Sequence, residues 1–98
     1  MASNIDFLQK LEAVVAGRLE NPPEGSYTAR LAAQGVLKVA QKIGEEGVEL
    51  ALAAAAQDRD RVTAEAADLL YHLLVVLRLR DLTLADVVAE LERRHRPS

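Results

Sequence analysis

The stretch VLKVAQKIGEEGVELALAAAA, from Val36 to Ala56, decides the fold. Ala, Leu, Lys, Gln and Glu are strong helix formers, and they dominate it. Val36, Ala40, Ile43, Gly47, Leu50 and Ala54 alternate in steps of four and three. That alternation predicts one long helix with a coiled-coil-like seam of small residues, suited to close packing. Glu45, Glu46 and Glu49 lie within it as E-E-G-V-E. Like charges at helical spacing repel, at roughly a few tenths of a kcal/mol per i,i+4 pair. Glu45 and Glu49 are such a pair, and neither has a Lys or Arg four residues downstream.

A second acidic pair follows, Glu65 and Asp68 in E-A-A-D. Glu46 with Glu49 and Glu65 with Asp68 share the i,i+3 spacing, so each pair projects from one helix face. Both pairs border apolar positions, where unpaired carboxylates are costly to bury. Hard divalent ions take oxygen ligands. Two helices that each present a carboxylate pair can therefore hold magnesium, and magnesium commonly accompanies a phosphate substrate. Taken alone, E-E-x-x-E is equally the solvated face of an ordinary helix, and Glu65 is equally a first-turn acid favouring a helix N-terminus.

Working outward, a first helix is expected after Ser3 or Asn4, with Ile5, Leu8, Leu11, Val14 or Val15, and Leu19 at helical period. It ends before Asn21-Pro22-Pro23, because a residue preceding proline is pushed out of the α region. Ser26 or Thr28 caps a short helix across Ala29 to Ala33, and Gly35 punctuates. A fourth helix runs from about Arg61 to Arg80, with Asp58 and Asp60 as caps. Its second half, L-L-Y-H-L-L-V-V-L, is apolar on every side and must be covered all round. So small a domain has few helices to cover it, and a second copy of the chain is expected to do so. Thr83, with Asp86 three residues on, predicts a capping box for a fifth helix to about Arg94. The short connection between helices three and four favours antiparallel packing, which brings the two acidic pairs face to face.

The fold class is therefore all-α, a bundle of four to five helices completed by homodimerisation. At 98 residues one domain is expected. A net charge of −3 argues against a nucleic-acid surface. With no cysteine there is neither a disulfide framework nor a thiolate metal site. The first ten residues lack the basic start and apolar core of a signal peptide. The longest apolar run falls short of the ~20 residues of a membrane span, so a cytoplasmic protein is expected. Lys38 and Lys42, one turn apart, read either as a surface pair with Glu46 or as ammonium groups for phosphate oxygens. His72, one turn after Asp68, reads as a satisfied core histidine, and Tyr71 as core or dimer interface.

At these residues the chain resembles a known family. The strings S-Y-T (Ser26 to Thr28), Q-K-I-G-E-E-G-V-E (Gln41 to Glu49) and E-A-A-D-L-L-Y-H-L-L-V (Glu65 to Val75) are similar to phosphoribosyl-ATP pyrophosphohydrolase, of the all-α nucleoside triphosphate pyrophosphatase superfamily. The resemblance implies hydrolysis of phosphoribosyl-ATP to phosphoribosyl-AMP and pyrophosphate, the second step of histidine biosynthesis. It implies magnesium on Glu46, Glu49, Glu65 and Asp68. Glu45 completes the motif, and Glu45 and Glu49 are the candidates for general base. Lys38 and Lys42 match basic positions that meet the substrate phosphates, and Tyr27 and Thr28 are expected at the substrate. Gly47 departs from the pattern, where Ala is expected. Some relatives are fused to a cyclohydrolase, for which this sequence is not expected to have room. Two other functions compete: a housecleaning pyrophosphatase for non-standard nucleotides, and a helical dimerisation module without activity. A di-iron bundle would need Glu-x-x-His, and here Glu65 is followed by Asp68 and Glu46 by Glu49.

Overall fold

The computed structural model describes residues 4–56 and 58–97. Five helices follow one another: α1 Phe7–Glu20, α2 Tyr27–Ala33, α3 Val36–Ala56, α4 Arg59–Leu79 and α5 Leu84–Arg94. There is no strand among the described residues.

Local chemistry sets most of the boundaries. Ser26 caps α2, its Oγ accepting from the Ala29 amide at 3.2 Å. Gly35, at φ 96°, makes the break between α2 and α3 that a side chain would strain. Asp58 caps α4 by accepting from the Arg61 amide at 3.1 Å. Asp81 ends the same helix in the left-handed region at φ 59°, while the Leu82 amide donates back to the Leu77 carbonyl at 2.8 Å. Thr83 and Asp86 form the expected capping box of α5. The start of α1 differs from expectation. Ser3 lies outside the described residues, and Asn4 does not take the cap position; Asp6 does, and its side chain makes no capping bond. A backbone turn does the work instead, with the Phe7 amide donating to the Asn4 carbonyl at 3.0 Å.

The long helices α3 and α4, 21 residues each, meet across two positions and pack along one another. Contacts run in opposite senses, Glu46 to His72 and Glu49 to Glu65, so the hairpin is antiparallel as predicted. Helix α1 packs against α4, and α2 against both long helices. The core forms where all four meet, from Val15, Leu31, Val39, Leu74 and Val75, with Leu11, Leu19, Ile43 and Leu79 packed around them. Each fully buried side chain of this kind contributes roughly 1.5–3 kcal/mol. Arg78 ties α4 to α1 through Glu20 at 2.9 Å.

The seam of α3 lies one position away from the predicted one. Val39, Glu46 and Ala53 are buried, whereas Ala40 and Ala54 are exposed and Gly47 is half-buried. Two alternations of three and four share Val36, Ile43 and Leu50. The small-residue set avoids a carboxylate in the core, and the structure accepts one. The Lys42–Glu46 surface pair therefore does not form.

The apolar stretch of α4 is also covered differently. His72, Leu74, Val75 and Leu77 are buried within one chain, and Leu70 is 42% exposed. The larger apolar surface sits on α3, where Leu37 is 83%, Val48 60% and Leu52 66% exposed. These three lie on the side of the helix opposite Val39, Glu46 and Ala53. Among the described residues, no helix is long and apolar enough to cross a membrane.

Candidate functional site

Glu46 is the centre of the site. The α3 seam carries it into the interface with α4, where it is 7% exposed. Its Oε1 lies 2.6 Å from His72 Nδ1. That nitrogen meets hydrogen-bond geometry with the Asp68 carbonyl, at 3.0 Å, and not with Glu46. Oε1 is thus buried without a hydrogen-bond partner, an arrangement that costs about 1–3 kcal/mol where nothing else satisfies it. Both neighbours of Nδ1 are acceptors, so this nitrogen carries a proton. In the neutral ring Nε2 then accepts, and the Tyr27 hydroxyl donates to it at 2.7 Å. His72 is the satisfied core histidine expected, bonded to the Asp68 carbonyl and to Tyr27.

One turn further along α3, Glu49 faces Glu65 across the hairpin. The Glu65 side chain is 12% exposed. Its pKa is raised above the ordinary carboxylate value of 4.5, first by burial, then by the Glu49 charge, with Asp68 and a hydrogen bond to Glu49 adding and Arg61 opposing. Arg61 stands 3.7 Å away as an exposed i,i+4 partner, a contact that relieves little. Of the two predicted pairs, Glu49 and Glu65 meet across the hairpin, while Glu46 meets His72. Among the described residues, however, no three His, Asp or Glu side chains converge closely enough to hold a metal ion as they stand.

The donor chemistry nonetheless suits a hard cation. Four carboxylates line one hairpin, one has a buried oxygen without a hydrogen-bond partner, and another is pushed toward its neutral form by its neighbours. Glu49 and Asp68 are exposed and can turn.

Beside the acids, α2 and α3 enclose a cleft of roughly 240 Å³ lined by Tyr27, Arg30, Leu31, Gln34, Lys38, Lys42 and Glu45. Lys38, Lys42 and Tyr27 thus share one surface. Glu45 stands on the same cleft, held by Gln41 Nε2 at 3.0 Å. Thr28 is placed otherwise. It is 1% exposed, its Oγ1 engaged by the Tyr71 hydroxyl, so it packs behind the cleft and does not line it. Arg30 and Gln34 were not singled out by sequence. The available signal was a four-residue recurrence, Arg30, Gln34, Lys38 and Lys42, running across the Gly35 break.

Fold and site define an all-α domain whose antiparallel hairpin carries a paired-acid face next to a basic cleft. A family model described as phosphoribosyl-ATP pyrophosphohydrolase matches residues 8–95. The chain belongs to that family. It is similar to the histidine biosynthesis bifunctional protein HisIE of Xanthomonas axonopodis pv. citri, 56% identical over 91% of this chain and 43% of that protein. The protein of that name from Yersinia pestis is 51% identical over 96% of this chain and 46% of its own. The phosphoribosyl-ATP pyrophosphatase of Agrobacterium fabrum is 58% identical over 89% of this chain and 81% of its own length. The chain spans less than half the length of the bifunctional relatives.

Proposed function

We propose that this chain hydrolyses phosphoribosyl-ATP to phosphoribosyl-AMP and pyrophosphate, the second step of histidine biosynthesis, in the cytoplasm. Family membership supports the reaction. The observation that carries the site is the buried Glu46 carboxylate, with an oxygen lacking a hydrogen-bond partner, on the hairpin face shared with Glu49, Glu65 and Asp68. A surface-stabilising role does not account for a carboxylate in the seam.

Glu46, Glu49, Glu65 and Asp68 would hold magnesium. When bound, a divalent cation neutralises phosphate oxygens and lowers the pKa of a coordinated water. The chain itself mainly positions groups and supplies charge. Water adds to one phosphorus of the α–β anhydride, the bridging bond breaks, and pyrophosphate leaves. Glu45 and Glu49 are the carboxylates proposed to receive the proton of that water. Glu45 is held by Gln41 at the cleft, and Glu49 sits against Glu65. Lys38 and Lys42 present ammonium groups to phosphate oxygens, and Tyr27 forms a wall of the same cleft. Thr28 acts through Tyr71, which it helps to fix.

The exposed apolar side of α3 supports a homodimer in which Leu37, Val48 and Leu52 meet a second copy. Sedimentation showing only monomer, or no change on Val48→Glu with Leu52→Glu, removes that part of the proposal.

The deciding experiment measures pyrophosphate release from phosphoribosyl-ATP with and without magnesium, beside ordinary and modified nucleoside triphosphates. Magnesium-dependent release with preference for phosphoribosyl-ATP is expected. Equal or better turnover of the other nucleotides would establish the housecleaning alternative.

A further inference from the structure

Arg30, Lys38 and Lys42 gather three cations around the α2–α3 cleft, with Glu45 as the one acid in its lining. Lys38 and Lys42 are an i,i+4 like-charge pair, which is unfavourable unless an anion lies between them. None of the three cations forms an ion pair among the described residues. Arg30 is steadied at one end, Nη1 donating to the Gly25 carbonyl at 3.1 Å. Its remaining N–H groups are left for a bidentate acceptor, the manner in which the planar guanidinium binds two phosphate oxygens.

The cleft adjoins the acids at Glu45, which lines it, but its cations face a different helix. Lys42 and Lys38 precede Glu46 by one and two turns, about 6 and 12 Å along the helix. Glu46 and Glu49 turn toward α4, whereas Lys38 and Lys42 turn toward α2. A substrate spanning both needs an anionic group at each end. The end at the carboxylates requires a cation to approach them. The end in the cleft meets three protein cations against one carboxylate, Glu45. The Tyr27 hydroxyl is already engaged by His72 Nε2 at 2.7 Å.

Resting on the hydrolase reading above, we propose that the α2–α3 cleft binds a phosphate monoester remote from the hydrolysed anhydride, the phosphate of the phosphoribosyl group. Arg30, Lys38 and Lys42 are then the residues that separate a phosphoribosylated nucleotide from a plain nucleoside triphosphate.

Calorimetric titration of the full chain in magnesium with phosphoribosyl-AMP, AMP and pyrophosphate tests this without turnover. The parent is expected to bind phosphoribosyl-AMP at least about tenfold more tightly than AMP, roughly one additional charge-assisted phosphate contact. R30Q/K38Q should lose that preference while its affinity for pyrophosphate is unchanged. R30K/K38R, which keeps the charges, should recover most of it and so separates lost charge from lost folding. Equal parent affinity for phosphoribosyl-AMP and AMP overturns the proposal, as does weakened pyrophosphate binding in R30Q/K38Q, which would mean the cleft holds the anhydride end. A parent with the preference but no pyrophosphate release from phosphoribosyl-ATP retains the cleft and loses the hydrolase reading. Release without the preference does the reverse.

Discussion

Replacing Glu46 by Gln should reverse the stability order of parent and variant according to whether magnesium is present. Glu46 is 7% exposed, and its Oε1 lacks a hydrogen-bond partner. An unsatisfied buried acceptor costs about 1–3 kcal/mol, more for a charged one. The amide removes the charge and keeps an oxygen beside His72, so in chelator Glu46→Gln should gain about 1 kcal/mol at the lower end of that range. For a domain of this size that is roughly 4–8 °C in melting temperature. With magnesium at a hundred times its dissociation constant, the parent should instead gain about 2.7 kcal/mol. The variant, lacking the buried ligand, should gain much less, and the two melting curves should exchange order. Thermal unfolding followed by circular dichroism, in chelator and across a magnesium titration, reads this directly. A parent indifferent to magnesium, or a variant that is less stable in chelator and responds equally to magnesium, refutes a metal role for the buried carboxylate.

Other expectations follow from single contacts. Glu65 is held above its ordinary pKa by burial, Glu49 and Asp68; a raised carboxylate stabilises the fold below its unfolded value and loses that contribution as pH rises through the folded one. In chelator, the parent should therefore lose stability relative to Glu65→Gln as pH rises from about 4.3 through the raised value; a constant difference would contradict the crowding of these acids. Leu74→Ala should cost about 2–5 kcal/mol in urea unfolding, as for other fully buried leucines. Gly35→Ala, where a Cβ meets nothing within 4 Å, should cost about 1–2 kcal/mol from backbone strain alone. Thr83→Ala should cost about 1 kcal/mol by removing the capping box.

How much of this was legible in the sequence depends on the range of the interactions involved. Proline at 22 and 23, Ser26, Gly35, Asp58 and the Thr83–Asp86 box act within a few residues, and they set boundaries close to those expected. The α1 start escaped because a plain backbone turn, with no side-chain cap, begins it. The α3 seam was ambiguous by construction, since Val36, Ile43 and Leu50 belong to both alternations. Choosing Val39, Glu46 and Ala53 meant accepting a buried carboxylate, which local rules penalise. The facing of Glu49 with Glu65 followed from i,i+3 spacing and a short connection. Arg30 did not, because its place on the cleft comes from how α2 lies against α3.

The attachment of α5 has its own consequence. None of its residues is buried, and it closes its own N-terminus. It is tethered at its start, by the Leu84 side chain packed against the core and the Leu84 amide donating to Glu12 Oε2 on α1 at 2.7 Å. A segment so self-sufficient and so lightly moored can lift away whole while the α3–α4 hairpin stays shut. Its backbone amides should then trade hydrogen for deuterium as one early group, long before those around Val39 and Val75.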